Sequence, residues 1–177
     1  KGRYQATDNL VVELGFAQKM RSPIYQERYL WIPLEANAGI GDGNNYVGNP
    51  ELDPEKSRQI ELGFDWVVGD FYFSPRIFHR NVDDYIQGVA ATNMAVIGVS
   101  ANANGDPTPL IFTNTKAEFS GLDMTFGTRI NSNWRVEGIA SMVDGDREDI
   151  SDNIYRTAPS SARASLFYEA NRFNATI

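Results

Sequence analysis

From Gln59 onward the chain alternates: Ile60, Leu62, Phe64, Trp66 and Val68 share one parity, Gln59, Glu61, Gly63 and Asp65 the other. A period of two is that of a β-strand with one apolar and one polar face. Leu10, Val12, Leu14 and Phe16 alternate in the same way with Val11, Glu13, Gly15, Ala17 and Lys19. Extended along the chain, the pattern predicts strands over residues 2–6, 10–20, 58–68, 71–87, 111–130, 134–143, 161–169 and 173–177. Short turns at Thr7-Asp8-Asn9, Gly69-Asp70, Asn131-Ser132-Asn133 and Ala170-Asn171-Arg172 join some of them. Long segments join the others, over residues 21–56, 89–109 and 144–159. The first is broken by Pro23, Pro33 and the run from Gly39 to Gly43, and its end, Gly48 to Ser57, is held extended by Pro50 and Pro54. Short and long connections alternate without exception.

Charge follows parity. Glu13, Lys19, Glu61, Asp65, Arg76, Arg80, Asp123, Arg129, Arg135, Glu137, Arg163 and Glu169 share the polar face, and the opposite parity in the strand centres is uncharged. A bilayer enforces this segregation, because a charge facing lipid at mid-depth costs ~2–4 kcal/mol. Aromatic residues gather beside the short turns: Tyr4, then Trp66, Phe71 and Phe73, then Trp134, then Tyr168 and Phe173. One belt of amphipathic rings at a single level is the expected membrane-interface girdle. A soluble antiparallel sandwich also alternates. Its strands usually run about 5–6 residues, and it lacks the alternation of short and long loops. The lengths at residues 71–87 and 111–130 therefore favour a barrel. Pro75 falls inside a predicted strand on the apolar parity, which predicts a bulge or a sheet edge there.

Composition narrows the function classes. The 177 residues are 42% hydrophobic. No apolar run approaches the ~20 residues of a membrane helix, so any crossing must use strands. The net charge of −7 and the lack of a basic cluster argue against a nucleic-acid partner. Without cysteine there is neither a disulfide nor a thiolate metal site. Lys1-Gly2-Arg3-Tyr4 reads as mid-domain sequence with no signal peptide, so a partial domain over residues 1–177 is expected.

The run GNPELDPEKSRQIELGFDW (48–66) resembles the loop-to-strand signature in the C-terminal half of TonB-dependent outer-membrane receptors. YQATDNLVVELGFAQKMRSP (4–23), GDFYFSPRIFHRNVDDYIQ (69–87), KAEFSGLDMTFGTRINSNWRVEG (116–138) and YRTAPSSARASLFYE (155–169) support the likeness as strand pairs around periplasmic turns. The resemblance implies an all-β, antiparallel, up-and-down transmembrane barrel segment, about eight strands of a 22-stranded barrel, in the outer membrane of a Gram-negative bacterium. It further implies import of a scarce ligand with energy from TonB. The partners would be outer-membrane lipid, a plug domain, the TonB complex, and a small ligand or metal. Plug and TonB-contact segments are absent from these residues, and the chain ends in a strand at Ile177. YQERYLWIPLEANAGIGDG (25–43) looks most like the copper-receptor branch; siderophore and cobalamin receptors of the same family are the alternatives.

Candidate sites follow from this frame. Tyr25, Glu27, Arg28, Tyr29 and Trp31 combine aromatic and charged groups in a long extracellular loop, where ligand contacts gather, although packing of the loop on the rim would use the same residues. Glu61, Asp65, Arg76, Asp123, Arg129 and Arg135 should face the lumen and meet the plug. Trp66, Phe71, Phe73, Trp134 and Tyr168 should mark the membrane interface. Copper favours Met and His ligands, but Met20, Met94, Met124, Met142 and His79 lack ligand spacing. The acidic run from Asp144 to Asp149 lacks the glycine and the final glutamate of a calcium loop. No cofactor is called for, and one histidine without a nucleophile partner argues against an enzyme. Outside the family, a passive porin, an outer-membrane enzyme or adhesin, and a soluble secreted β-sandwich binding module are the rivals.

Overall fold

The computed structural model describes residues 1–30, 44–155 and 157–177. Eight long strands follow one another as neighbours in a single sheet: β1 (Gly2–Thr7), β2 (Leu10–Arg21), β4 (Glu55–Val68), β5 (Phe71–Ala90), β6 (Leu110–Arg129), β7 (Trp134–Arg147), β9 (Ser161–Ala170) and β10 (Phe173–Thr176). Every neighbouring pair on this path is antiparallel. Two two-residue strands lie off it: β3 (Tyr46–Val47) pairs in parallel with β6, and β8 (Asp152–Asn153) pairs with β7. Among the described residues two helices interrupt the long connections, α1 (Tyr25–Tyr29) and α2 (Met94–Asn104). In α2 the Asn93 side chain accepts from the Ala95 amide at the start, and Gly105 closes the end in the left-handed conformation.

The register turns the parity of the sequence into two faces. Leu14 stands opposite Leu62, Leu62 opposite Ile77, Ile77 opposite Leu122, and Leu122 opposite Met142. On the other face Glu13 stands opposite Gly63, Gly63 opposite Arg76, Arg76 opposite Asp123, and Asp123 opposite Ser141. A sandwich would cover the first row with a second sheet. Here Leu14, Phe16, Ile60, Ile77 and Met142 remain exposed, and the described residues place no layer over them. Both clusters of buried apolar residues lie near the ends of the strands that join the long loops. One gathers Tyr46, Leu52, Ile86 and Phe112; the other gathers Val82, Ala117, Phe119 and Ile154. A broad apolar face without protein cover is what hydrocarbon contact requires.

Pro75 sits in the middle of the sheet without a bulge. Gly63↔Arg76 and Trp66↔Phe73 share one register, which sets Pro75 opposite Phe64, and Pro75 stays paired with Met124 on its other side. The Val67 amide donates to Asn9, so by alternation the Phe64 carbonyl points toward β5. Proline cannot supply the donor that this carbonyl needs, and the Arg76 guanidinium supplies it instead, Nη1 to O at 2.8 Å. The irregularity in β5 lies between Val82 and Tyr85, where Asp84 takes φ +58° and an extra residue enters the strand.

Glycine shapes the polar face. A Cβ on Gly121 would lie 2.5 Å from the Phe78 ring, and one on Gly127 would lie 2.6 Å from the Tyr72 ring. Each ring belongs to the residue directly opposite, so the aromatic lies flat over the bare backbone across the ladder.

Candidate functional site

Two groups of side chains stand out, one along the middle of the polar face and one at the end where the long loops leave. The first is centred on Arg76. Its Nη2 lies 2.6 Å from Asp65 Oδ1 and 3.4 Å from Glu13 Oε2, while Nη1 serves the carbonyls of Phe64 and Pro75. Lys1 closes on the same Glu13 at 2.7 Å. Arg3 Nε lies 3.8 Å from the other oxygen, and Glu13 is buried, so its charge is acceptable because three cations meet it. Farther along the sheet, Ser141 donates to Asp123 at 2.7 Å, Arg135 pairs with Glu137, and the Arg135 guanidinium stacks 4.4 Å above the Phe167 ring. Arg80 stacks at the same distance over Phe119. Glu61 and Arg129 share this face by register, and neither side chain has a hydrogen bond or ion pair among the described residues.

The second group is the signature loop itself, and its residues explain the motif. Leu52 is 2% exposed and packs with Tyr46, Ile86 and Phe112. Asn114 grips the neighbouring backbone from both sides: its Oδ1 accepts from the Asp53 amide at 2.9 Å, and its Nδ2 donates to the Asp53 carbonyl at 3.1 Å. The same Nδ2 donates to the Asp84 carbonyl at 2.7 Å, which ties the loop to the bulge. Glu55 receives both ends of the Arg21 fork, each at 2.7 Å, and accepts from the Ile86 amide at 3.0 Å. Asn49 Oδ1 accepts from the Glu51 amide in the turn at Pro50, which pre-sets its own φ. Arg21, Leu52, Glu55 and Asn114 were not singled out in the sequence as site residues. Glu55 and Leu52 lie inside the signature, which was the available signal; nothing local marks Arg21 or Asn114.

The loop residues singled out above separate into two kinds. Glu27 is buried, with its carboxylate on Arg21, and Arg28 donates to the Leu52 carbonyl at 2.8 Å. Tyr25 and Tyr29 are 77% and 53% exposed, with ring centroids 5.4 Å apart. Trp31 lies outside the described residues. At the opposite end of the sheet, Trp66, Phe71, Phe73, Trp134 and Tyr168 occupy one face, the apolar one. Trp66 meets Phe71 edge-on at 5.5 Å, and Trp134 lies 4.8 Å from Tyr168. Among the described residues no three His, Asp or Glu side chains are placed to hold a metal ion. Met20, Met94 and Met142 are exposed.

With this geometry in place, the comparisons with known proteins decide the family. Residues 2–176 match the family model described as TonB dependent receptor-like, beta-barrel. The chain belongs to that family. Its members reside in the outer membrane of Gram-negative bacteria, and so does this barrel segment. Among solved structures, the copper transporter OprC superposes with a TM-score of 0.75 at 18% identity, over 98% of this chain and 24% of that one. The siderophore receptor PirA from Acinetobacter baumannii gives 0.66 at 17% identity, over 98% and 26%. The FrpB iron transporter from Neisseria meningitidis gives 0.62 at 15% identity, over 98% and 24%. At such identities the likeness is one of fold. This receptor segment spans about a quarter of the length of the solved structures it matches. The all-β antiparallel architecture expected from alternation is the observed one.

Proposed function

We propose that this segment forms wall and rim of a receptor that imports a scarce ligand, copper or another metal chelate, with energy delivered through TonB. The observation that carries the reading is the inward face. It combines a tied network around Arg76 with ionic groups such as Glu61 and Arg129 whose side chains have no hydrogen-bond or ion-pair partner among the described residues. A plug domain filling the interior would provide their partners, and a wall of this kind suits a barrel occupied by protein better than an open pore. The membrane-interface aromatics Trp66, Phe71, Phe73, Trp134 and Tyr168 then hold the wall at one depth, against lipid. Tyr25, Tyr29 and Trp31 become the loop residues for an incoming ligand, while Glu27 and Arg28 hold the helix that carries the two tyrosines. Copper draws support from the likeness of residues 25–43 to the copper-receptor branch.

The test is uptake by cells expressing the whole receptor, comparing radioactive copper, a ferric siderophore and cobalamin, with and without functional TonB. Copper accumulation that needs TonB supports the proposal in full. TonB-dependent uptake of the iron chelate or cobalamin alone replaces copper with that ligand. Uptake that persists unchanged without TonB would mean a passive pore and would overturn the reading.

A further inference from the structure

α1 is built inside out. Its buried residue is the charged one, Glu27 at 9% exposure, whereas Ile24, Tyr25 and Tyr29 all stand exposed. A helix that docks on a protein surface ordinarily buries its apolar stripe. The attachment here is polar. Arg21 Nη1 reaches both carboxylate oxygens of Glu27, at 3.0 and 2.9 Å, and Glu27 Oε2 also accepts from the Ile24 amide at 2.8 Å. The rest of the Arg21 guanidinium is taken by Glu55, the first residue of β4. One cation therefore joins three elements: the end of β2, the helix, and the start of β4. The neighbouring signature loop is held differently, by the apolar nest around Leu52 and the Asn114 grip. α1 packs on that nest only through Leu30, and it also meets the signature loop through three hydrogen bonds: Arg28 donates to the Leu52 carbonyl, the Asn49 amide to the Glu27 carbonyl and the Gly48 amide to the Leu30 carbonyl.

We propose that Arg21 is a clasp for α1, a positioning residue whose two-carboxylate fork holds the exposed tyrosine pair in place at the extracellular rim. Opening the Glu27 half loosens residues 24–30, which then keep only their hydrogen bonds to the signature loop, while the loop and the strands keep their places. Because Arg21 is part-exposed, the release is promoted by salt, whereas the Leu52 nest is not weakened by it. The clasp is independent of which ligand the receptor carries.

Hydrogen exchange on the whole receptor in detergent, read segment by segment, tests it. Glu27→Gln should speed exchange of residues 25–30 by about tenfold, the scale expected when one half of a part-exposed ionic fork is lost. Strands β4 to β7 should be unchanged. Tyr25→Ala, which removes apolar surface and no charge, should leave the segment as protected as before. Arg21→Lys keeps the charge but cannot fork to two carboxylates, and should fall between. A gel shift on heating confirms that each variant holds a folded barrel, and Arg21→Lys serves if Glu27→Gln does not fold. Unchanged exchange of residues 25–30 in both charge variants, or release by Tyr25→Ala alone, would overturn the clasp.

Discussion

Arg76 and Pro75 form a testable pair, because the arginine side chain does the work of the backbone donor that the proline lacks. Replacing Arg76 with Met leaves the Phe64 carbonyl facing Pro75 without a partner, at about 1–3 kcal/mol for a buried unsatisfied acceptor. The same change removes a cation shared by Asp65 and Glu13. Arg76 and Asp65 are 25% and 24% exposed, and Lys1 still neutralises Glu13, so the ionic part is small. We discount it to about 1–2 kcal/mol. Arg76→Met alone should therefore cost about 2–5 kcal/mol. With Val at position 75 a backbone N–H returns to the ladder and donates to Phe64. In that background Arg76→Met should cost less by about 1–2 kcal/mol, the carbonyl having been satisfied. Denaturant unfolding of the whole receptor in detergent, run on wild type, both single variants and the double variant, measures the coupling. Additivity within about 0.5 kcal/mol would refute the substitution of side-chain donor for backbone donor.

Two further outcomes follow from the rim. Leu52→Ala should cost about 2–3 kcal/mol, near the lower end for a buried leucine because its nest is small, and local exchange should rise at residues 44–54 while β6 and β7 stay protected. Burial pushes the Asp106 carboxyl up, but the amides of Thr108 and Asn45 and the Thr108 hydroxyl outweigh it and hold the group below the usual carboxylate range. A depressed folded value means that its contribution is complete above the unfolded value of about 4 and is lost as pH falls through the folded one. Protection of the Asn45 amide, corrected for intrinsic exchange, should therefore drop on acidification from pH 6 to below pH 4, and Asp106→Asn should remove that step.

Alternation made the sheet legible, since its period of two needs no knowledge of neighbours: the eight predicted strands are the eight long ones, with ends displaced by a few residues. What escaped depends on contacts between distant residues. α2 has no amphipathic face, with Met94 and Val99 exposed, so only Asn93 and Gly105 marked its ends. β3 and β8 are two residues each and exist because β6 and β7 extend beyond their other neighbours. The bulge at Asp84 was invisible, whereas the anticipated one at Pro75 is averted by Arg76, a side chain whose reach parity does not report. The polar face also carries an apolar patch, Val82 and Phe119 beneath Ile154, because a loop folds over it. The signature was readable as a motif; its mechanism needed Arg21 and Asn114, which lie 34 and 61 residues from their partners Glu55 and Asp53.

In a membrane-spanning wall the even-numbered side of β4 meets hydrocarbon and the odd-numbered side meets an enclosed interior. These 177 residues have no cysteine, so once any cysteine elsewhere in the whole receptor is replaced by serine, nitroxide labels can be placed singly along residues 59–66 in lipid bilayers. Collision with dissolved oxygen should be high at positions 60, 62, 64 and 66, with little access to a polar nickel chelate, and the reverse ordering or low access to both should hold at 59, 61, 63 and 65. Equal access to the nickel chelate on both parities, or oxygen access that loses its period of two, would contradict a membrane-facing wall.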